Sequence, residues 1–380
     1  MHIGHAFYHV VLDVYYRFLS KFTDNSVIFP AYSLNFYGKK GDFLIDASLG
    51  ETETKEKIDS HAKNYIARNR LRDELNLGSS DLLTDNSPQS IDSATRTFIG
   101  LKERGFLVQE TGKWFLDVPK IAREYNLVSA LDSVSFYPER TRSELERLLL
   151  NQVNNPVEIT RDTAYSVKNP IGGKNLGPLF VLATLWEGNY GDADYTFATS
   201  ESAFTKYVLF RMLIRLAIIG NPGMKEVLVY NKIEPKEGFE EWSVPKLTTN
   251  PYEADMLRYS LISSHSLNKQ IVNLDKRVLQ GGRNFVYLVG NLRKFFRDME
   301  GVSDGEVDGD YLTEMKAFKF NKVLSRLEGE ARLLSRKINS SRDNGELNKA
   351  KQNLFLEYLE LANKLSPMLP AITSQRLGEI

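Results

Sequence analysis

Past about residue 251 the amino-acid sequence changes its rhythm. Residues 251–298 and 311–378 carry apolar side chains at a 3.6-residue period, and neither stretch offers a strand candidate. Ahead of that point, in the first and third quarters, short apolar runs alternate with helical segments. Such alternation is the pattern of a parallel sheet, because parallel neighbours need a crossover that is usually a helix. The chain is therefore read as an α/β domain with a parallel sheet, split by an insertion and followed by an all-α helical bundle.

Local spacing places the segments. Phe7, Val11, Val14, Phe18 and Phe22 form one apolar stripe over 5–22, and Tyr8, Leu12, Tyr15 and Leu19 form a second. Two stripes predict a helix buried on most sides. Val27-Ile28-Phe29, bounded by Asn25-Ser26 and Pro30, suits a buried strand. Residues 50–77 are charged and helical, and another helix starts near 88. The run "GFLVQETGKWFLDV" (105–118) predicts a hairpin turning at Thr111-Gly112. Further helices are expected over 139–150 and 201–219, the latter stopped by Gly220-Asn221-Pro222-Gly223. The apolar runs 179–185 and 225–233 read as strands, and 156–173 as loop with a short strand. The acidic stretch 298–310 reads as an exposed linker within the helical part. No internal repeat is apparent.

Composition narrows the function classes. Lys+Arg and Asp+Glu both number 49 in 380 residues, so the balance is not that of a strongly basic nucleic-acid binder. There is no cysteine, which excludes disulfides, a thiol nucleophile and a cysteine-ligated zinc. Arg211 and Arg215 interrupt the longest apolar run, so no membrane span is expected. The first residues lack the pattern of a signal peptide, and the expected setting is cytoplasmic.

Three of the five histidines lie in the first nine residues: His2, His5 and His9. A helix N-terminus offers free N–H groups and partial positive charge to a phosphate. Gly4 has no side chain to keep a flat or anionic ligand from the backbone. His2 and His5 could donate hydrogen bonds to phosphate oxygens and stabilise charge developing there. The other readings are two surface histidines, a tag remnant, or a metal site, for which no further ligand sits nearby.

In this context the His-Ile-Gly-His at 2–5 resembles the first signature of the class I aminoacyl-tRNA synthetases, of the methionyl, leucyl, isoleucyl and valyl subgroup. Other segments match in the family's order. "DMLRYSLI" (255–262) is similar to its Ala-Asp-Ala-Leu-Arg-Tyr stretch, and "GGRNFVYLVGNLRKFF" (281–296) to the first helix of its anticodon-binding bundle. "KLSPMLPAITSQRL" (364–377) resembles the end of that bundle, and "ITRDTAYSVKNPI" (159–171) a worn Ile-Ser-Arg…Trp-Gly-Ile-Pro segment. "GKWFLDVPKIA" (112–122) resembles part of the connective region. The size, with no large editing insertion, is nearest to a methionyl-type paralogue.

The resemblance implies a split Rossmann-like catalytic domain over 1–48 and 159–262, a connective insertion over 49–158, and an anticodon-binding-like helical domain over 263–380. It implies formation of an aminoacyl-adenylate from an amino acid and ATP with Mg²⁺, then transfer of the acyl group to tRNA or to a small-molecule amine. His2 and His5 would stabilise the transition-state phosphates, Gly4 would admit the adenine, and Glu201 of "TSE" (199–201) would hold the ribose. Glu201 is equally an ordinary acid at a helix start, favoured by the dipole. No zinc is expected.

The pattern also breaks. The family's Lys-Met-Ser-Lys-Ser loop is absent from 229–255, where Lys236 falls nearest to it among Glu234, Glu237, Glu240 and Glu241. Losing one preorganised charge donor typically costs roughly 10²–10³ in rate. Asn35 and Tyr37 stand where the family's amino-acid-binding segment has Asp and His, and a neutral amide holds an ammonium group less strongly than a carboxylate. The family's first strand precedes its signature, so either residues precede Met1 or the fold lacks a central strand, which would leave buried backbone groups unpaired. Two readings follow: an atypical adenylate-forming ligase, or a catalytically inactive paralogue that binds nucleotide or tRNA.

Overall fold

The computed structural model describes residues 3–23, 31–34, 56, 60, 75–78, 81–85, 87–162, 166–185, 195–230, 232–235, 250–264, 266, 271–299, 301 and 307–373. The chain opens with helix α1 (Ile3–Phe22), strands β1 (Ala31–Leu34) and β2 (Asp81–Thr84) and helix α2 (Pro88–Glu103). Then come β3 (Leu107–Glu110), β4 (Lys113–Leu116), α3 (Val118–Glu124), α4 (Leu127–Asp132), β5 (Ser135–Tyr137) and α5 (Arg140–Gln152). Short strands β6 (Val157–Glu158), β7 (Thr160–Arg161) and β8 (Asn175–Leu176) lead to α6 (Pro178–Thr184), β9 (Tyr195–Ser200) and α7 (Glu201–Ile219). After β10 (Met224–Tyr230) and β11 (Lys232–Pro235) come α8 (Pro251–Ser264), β12 (Ile271–Leu274) and α9 (Lys276–Phe295). The last helices are α10 (Gly309–Lys316), α11 (Phe320–Asp343), α12 (Leu347–Leu365) and α13 (Pro370–Thr373).

These elements form two compact units: 31–69 with 81–229, and 1–30 with 70–80 and 230–380. The packing thus groups α1 and 230–262 with the C-terminal helices.

In the unit of 31–69 and 81–229, β1 and β2 pair in parallel with Ala31 opposite Asp81. Strand β10 lies between β5 and β9 and runs parallel to β5, with Val227 opposite Phe136. Helix α2 begins where the sequence predicts. Ser87 caps it by accepting from the Ser90 amide, and Pro88 occupies the first turn, where no amide donor is missed. The predicted hairpin is β3–β4, closed with Glu110 opposite Lys113, and Thr111 and Gly112 both take positive φ as a two-residue turn of this kind requires. Helix α7 spans the predicted 201–219 and buries Met212, Leu213, Ile214 and Leu216 in the core with Phe98, Leu116 and Phe180.

One predicted strand is a helix. Residues 179–184 fall in α6, which starts from Gly177 with Pro178 in its first turn, buries Phe180, Val181, Leu182, Ala183 and Thr184, and is capped by Leu185. A run that is apolar on every side looks the same as strand or as buried helix, and the proline decides it. The strand expected at 27–29 and most of the helix expected at 50–77 lie outside the described residues.

The other unit is mainly helical. Helix α1 buries Phe7, Val11, Val14 and Phe18 of its first stripe and Tyr15 of its second, while Tyr8, Leu12 and Leu19 are partly buried. Its aromatic face meets α10 and the turn after it: the Tyr15 and Phe318 rings are 4.3 Å apart, and Phe22 and Tyr311 meet edge to face at 5.6 Å. Helix α8 is buried along nearly its whole length, from Ala254 and Asp255 to Leu261 and Ile262. Gly282 lets α9 close on it, since a Cβ there would stand 2.5 Å from the Met256 carbonyl oxygen.

One expectation is corrected in this unit. The region after 251 does contain a strand: β12 pairs in parallel with β11, Ile233 opposite Val272. Four residues with Ile271 half exposed are too few to show a period. In the stretch 298–310, Asp298, Gly301 and residues 308–310 are exposed, and 300 and 302–306 lie outside the described residues. Asp308 caps α10 by accepting from the Tyr311 amide at 2.6 Å, and it pairs with Lys364 at 3.1 Å.

Candidate active site

Helix α1 starts at Ile3, so the His-Ile-Gly-His segment stands at a helix start. That is the arrangement the phosphate-binding reading requires. Gly4 and His5 lie in its first turn; His2, and the side chains of residues 1–5, are outside the described residues. Glu201 is the first residue of α7, directly after β9. Its side chain is likewise outside the described residues. Asn35, Tyr37 and Lys236 also lie outside them. In sequence, Asn35 follows the last residue of β1, and Lys236 the last residue of β11. Both strands belong to parallel pairs, whose carboxyl ends are where α/β folds place ligands. Gly4 and His5 belong to the unit with the helical bundle, and Glu201 to the other.

What holds α1 is a buried charge cluster that the sequence reading did not single out. Asp13 is fully buried. Its Oδ2 accepts from Arg17 Nε at 2.8 Å and lies 2.7 Å from Arg258 Nη2. Its Oδ1 accepts from the Gly78 amide at 2.7 Å. Arg258, on α8, also donates to the carbonyls of Met368, Leu75 and Pro367. One guanidinium thereby joins α1, the 75–78 turn, α8 and the segment before α13. Buried charges persist only when paired and hydrogen-bonded in this way. The available signal was a lone aspartate, with an arginine one turn later, inside an apolar helix.

One turn before Arg258, Asp255 is also fully buried. Its Oδ2 accepts from the Ile372 amide at 2.7 Å. Burial raises its carboxyl to about 7, against the opposing pull of Arg258, the Ile372 and Ala371 amides and Arg17. On the next face of α8, Tyr259 donates to Glu328 of α11, and burial together with that carboxylate pushes the phenol up.

The bundle shows which cations are committed to partners. Arg326 pairs with Glu314, Arg332 with Glu328, Lys337 with Glu357, and Arg297 with its neighbour Asp298. Lys294, Arg336 and Arg342 are in no ion pair among the described residues. Arg342 and Lys351 both approach the Phe295 ring, at 6.0 and 5.9 Å from its centroid. An aromatic ring flanked by two cations therefore stands where α9 and α11 end and α12 begins. A cation–π arrangement was not readable from segments so far apart in sequence.

Neither protein-family models nor curated proteins match the sequence. Solved structures do match. A structure of Mycobacterium tuberculosis methionyl-tRNA synthetase in complex with methionyl-adenylate superposes with a TM-score of 0.70 at 11% identity, covering 99% of this chain and 90% of that one. A second structure of that enzyme bound by methionyl-adenylate gives 0.71 at 11% identity, covering 98% and 89%. The chain has a class I aminoacyl-tRNA synthetase-like α/β fold with a helical domain. Both of these solved structures are of a methionyl-tRNA synthetase.

Proposed function

We propose that this chain forms an aminoacyl-adenylate from an amino acid and ATP and passes the acyl group to tRNA or to a small-molecule amine. The observation that carries the reading is the start of α1 at Ile3, with His-Ile-Gly-His at its N-terminus, in a chain whose fold matches adenylate-bound synthetase structures over nearly its whole length. In the proposed reaction a carboxylate oxygen of the amino acid attacks the α-phosphorus of ATP. The bond from that phosphorus to the bridging oxygen breaks, and pyrophosphate leaves. His2 and His5 donate hydrogen bonds to the phosphate oxygens, Gly4 leaves room for the adenine, and Glu201 accepts from the ribose hydroxyls. Lys236 supplies positive charge to the leaving pyrophosphate, and Asn35 and Tyr37 bound the amino-acid site. Catalysis of this kind is mainly positioning and charge stabilisation.

Among the described residues no group of three or more histidine or acidic side chains is placed to hold a metal ion. Magnesium usually rides on substrate phosphates, and that is its proposed place here. We assign the catalytic work to 1–48 and 159–262, the connective insertion to 49–158, and contact with tRNA to 263–380. The Phe295, Arg342 and Lys351 group supports that last assignment, because unstacked bases are held by aromatic and guanidinium faces. Among the described residues no helix is long and apolar enough to cross a membrane. The proposed setting is the cytoplasm.

A second reading is favoured by one observation. The Lys-Met-Ser-Lys-Ser signature is missing from 229–255, so the chain could bind nucleotide or tRNA without catalysis. ATP–pyrophosphate exchange across a panel of amino acids separates the two readings. Exchange with one substrate, lost in the His2→Ala, His5→Ala variant, supports the ligase. No exchange from folded protein, together with retained ATP or tRNA binding, supports the binding scaffold.

A further inference from the structure

We propose that Arg17 is a positioning residue: by tying α1 to the 75–78 turn, it fixes where the first turn of that helix stands. Its effect on catalysis rests on the adenylation reading given above.

Helix α1 is held by contacts of two kinds. Phe7, Val10, Val11, Val14 and Phe18 bury apolar side chains. Apolar burial is non-directional, so it keeps the helix in the core without fixing its place along its own axis. Hydrogen bonds are directional and weaken steeply away from good geometry. On one face of α1 such bonds all reach the same short turn. Asp13 Oδ1 accepts from the Gly78 amide at 2.7 Å, and Arg17 Nη2 donates to the Asn76 carbonyl at 2.7 Å. Between them Tyr16 lies against Gly78, where a Cβ would stand 3.0 Å from its Cε1. The turn is shaped to this seat, with Asn76 at a left-handed φ of 48°. Arg258 donates to its Leu75 carbonyl at 3.2 Å.

Within this group Arg17 is the member whose loss leaves no buried charge alone. Its side chain is 24% exposed, whereas those of Asp13 and Arg258 are wholly buried. Without Arg17, Asp13 still holds Arg258 and the Gly78 amide. What disappears is a two-point fork, Nε on Asp13 at 2.8 Å and Nη2 on the Asn76 carbonyl, which sets both the rotation and the axial place of α1. Gly4 lies about 20 Å away along the same helix. A slide at Arg17 is carried along that helix to its first turn. In a site that works by positioning, a misplacement of about 1 Å costs roughly 10² in rate.

Arg17→Lys keeps a cation beside Asp13 and removes the fork. ATP–pyrophosphate exchange and thermal unfolding are measured on the full-length wild type, on Arg17→Lys and on Ile338→Val. The last trims the core about 27 Å along α11 from the Phe320 ring, which lies 6.5 Å from that of Tyr15. The expected result is a kcat lower by about 10–100-fold in Arg17→Lys. Ile338→Val should keep its kcat while unfolding at a lower temperature. A retained kcat in Arg17→Lys, a loss confined to the ATP KM, or an equal loss in Ile338→Val overturns the positioning role and leaves the ligase reading standing. If the wild type exchanges with no amino acid, the ligase reading fails instead, and the amide resonances of Ala6 and Phe7 decide. Their displacement in Arg17→Lys upholds the proposal, and unchanged resonances overturn it.

Discussion

Arg258 Nη2 stands 2.7 Å from Asp13 Oδ2, and neither side chain touches solvent. The pair fixes the helix that carries the candidate phosphate-binding segment to the centre of the bundle. Breaking it leaves a buried charge without its counterion, which typically costs about 3–5 kcal/mol. Asp13→Asn and Arg258→Met are each expected to lower unfolding stability by that order in urea titrations. Their double variant should be less damaged than the sum of the singles. Additive losses would show that the two groups are not coupled.

Gly281 and Gly282 are neighbours with opposite expectations. A Cβ on Gly282 would sit 2.5 Å from the Met256 carbonyl oxygen and 2.7 Å from Ser260 Oγ, whereas one on Gly281 meets nothing within 4 Å. Gly282→Ala should therefore destabilise by about 1–3 kcal/mol, as overpacking does. Gly281→Ala should stabilise by about 0.5–1 kcal/mol through helix propensity. Thermal unfolding of both variants checks the opposite signs.

Acid should loosen the start of α9. Asp275 caps that helix, and its hydrogen bond from Arg277 holds its carboxyl down at about 2, aided by the Val278 and Arg277 amides. A carboxyl held below its unfolded value contributes stability that is present above pH ~4 and lost as pH falls toward 2. Exchange of the Val278 amide should accelerate over that window beyond its intrinsic rate. Asp275→Ala should remove the change.

If the bundle meets tRNA, its unpaired cations should matter more than its paired ones. Arg342→Ala and Lys351→Ala, which strip the two cations from Phe295, should each weaken tRNA binding. For each phosphate no longer neutralised, the slope of log affinity against log salt should fall by about one. Arg332→Ala, whose guanidinium is engaged by Glu328, should leave the slope unchanged. Equal effects from all three would remove this end of the bundle from the proposed interface.

Features written in adjacent residues were legible in the sequence. Ser87-Pro88 starts α2, Thr111-Gly112 turns the hairpin, and Gly220-Asn221-Pro222-Gly223 follows α7, because each signal acts through local backbone geometry. The α6 segment misread because the unbroken apolar run from Leu179 to Ala183 carries no period, although Gly177-Pro178 did mark a helix start. Strand β12 was too short to declare itself. In the candidate site, the helix start behind His2 was readable. The Asp13–Arg258 contact was not, because no local pattern says which distant cation a buried aspartate will meet.

The unit built from 1–30, 70–80 and 230–380 also constrains how the molecule is made. Lys21 bonds to Ser366, 345 residues further along the chain. Synthesis proceeds from the N-terminus, so α1 leaves the ribosome long before α8, α10 or the last turn exists. Phe7, Val14 and Phe18, all buried in the finished protein, then have no native surface to cover them. Nearly the whole chain must emerge before its first helix can be closed in, and the nascent protein is exposed to aggregation, and open to chaperones, until it does.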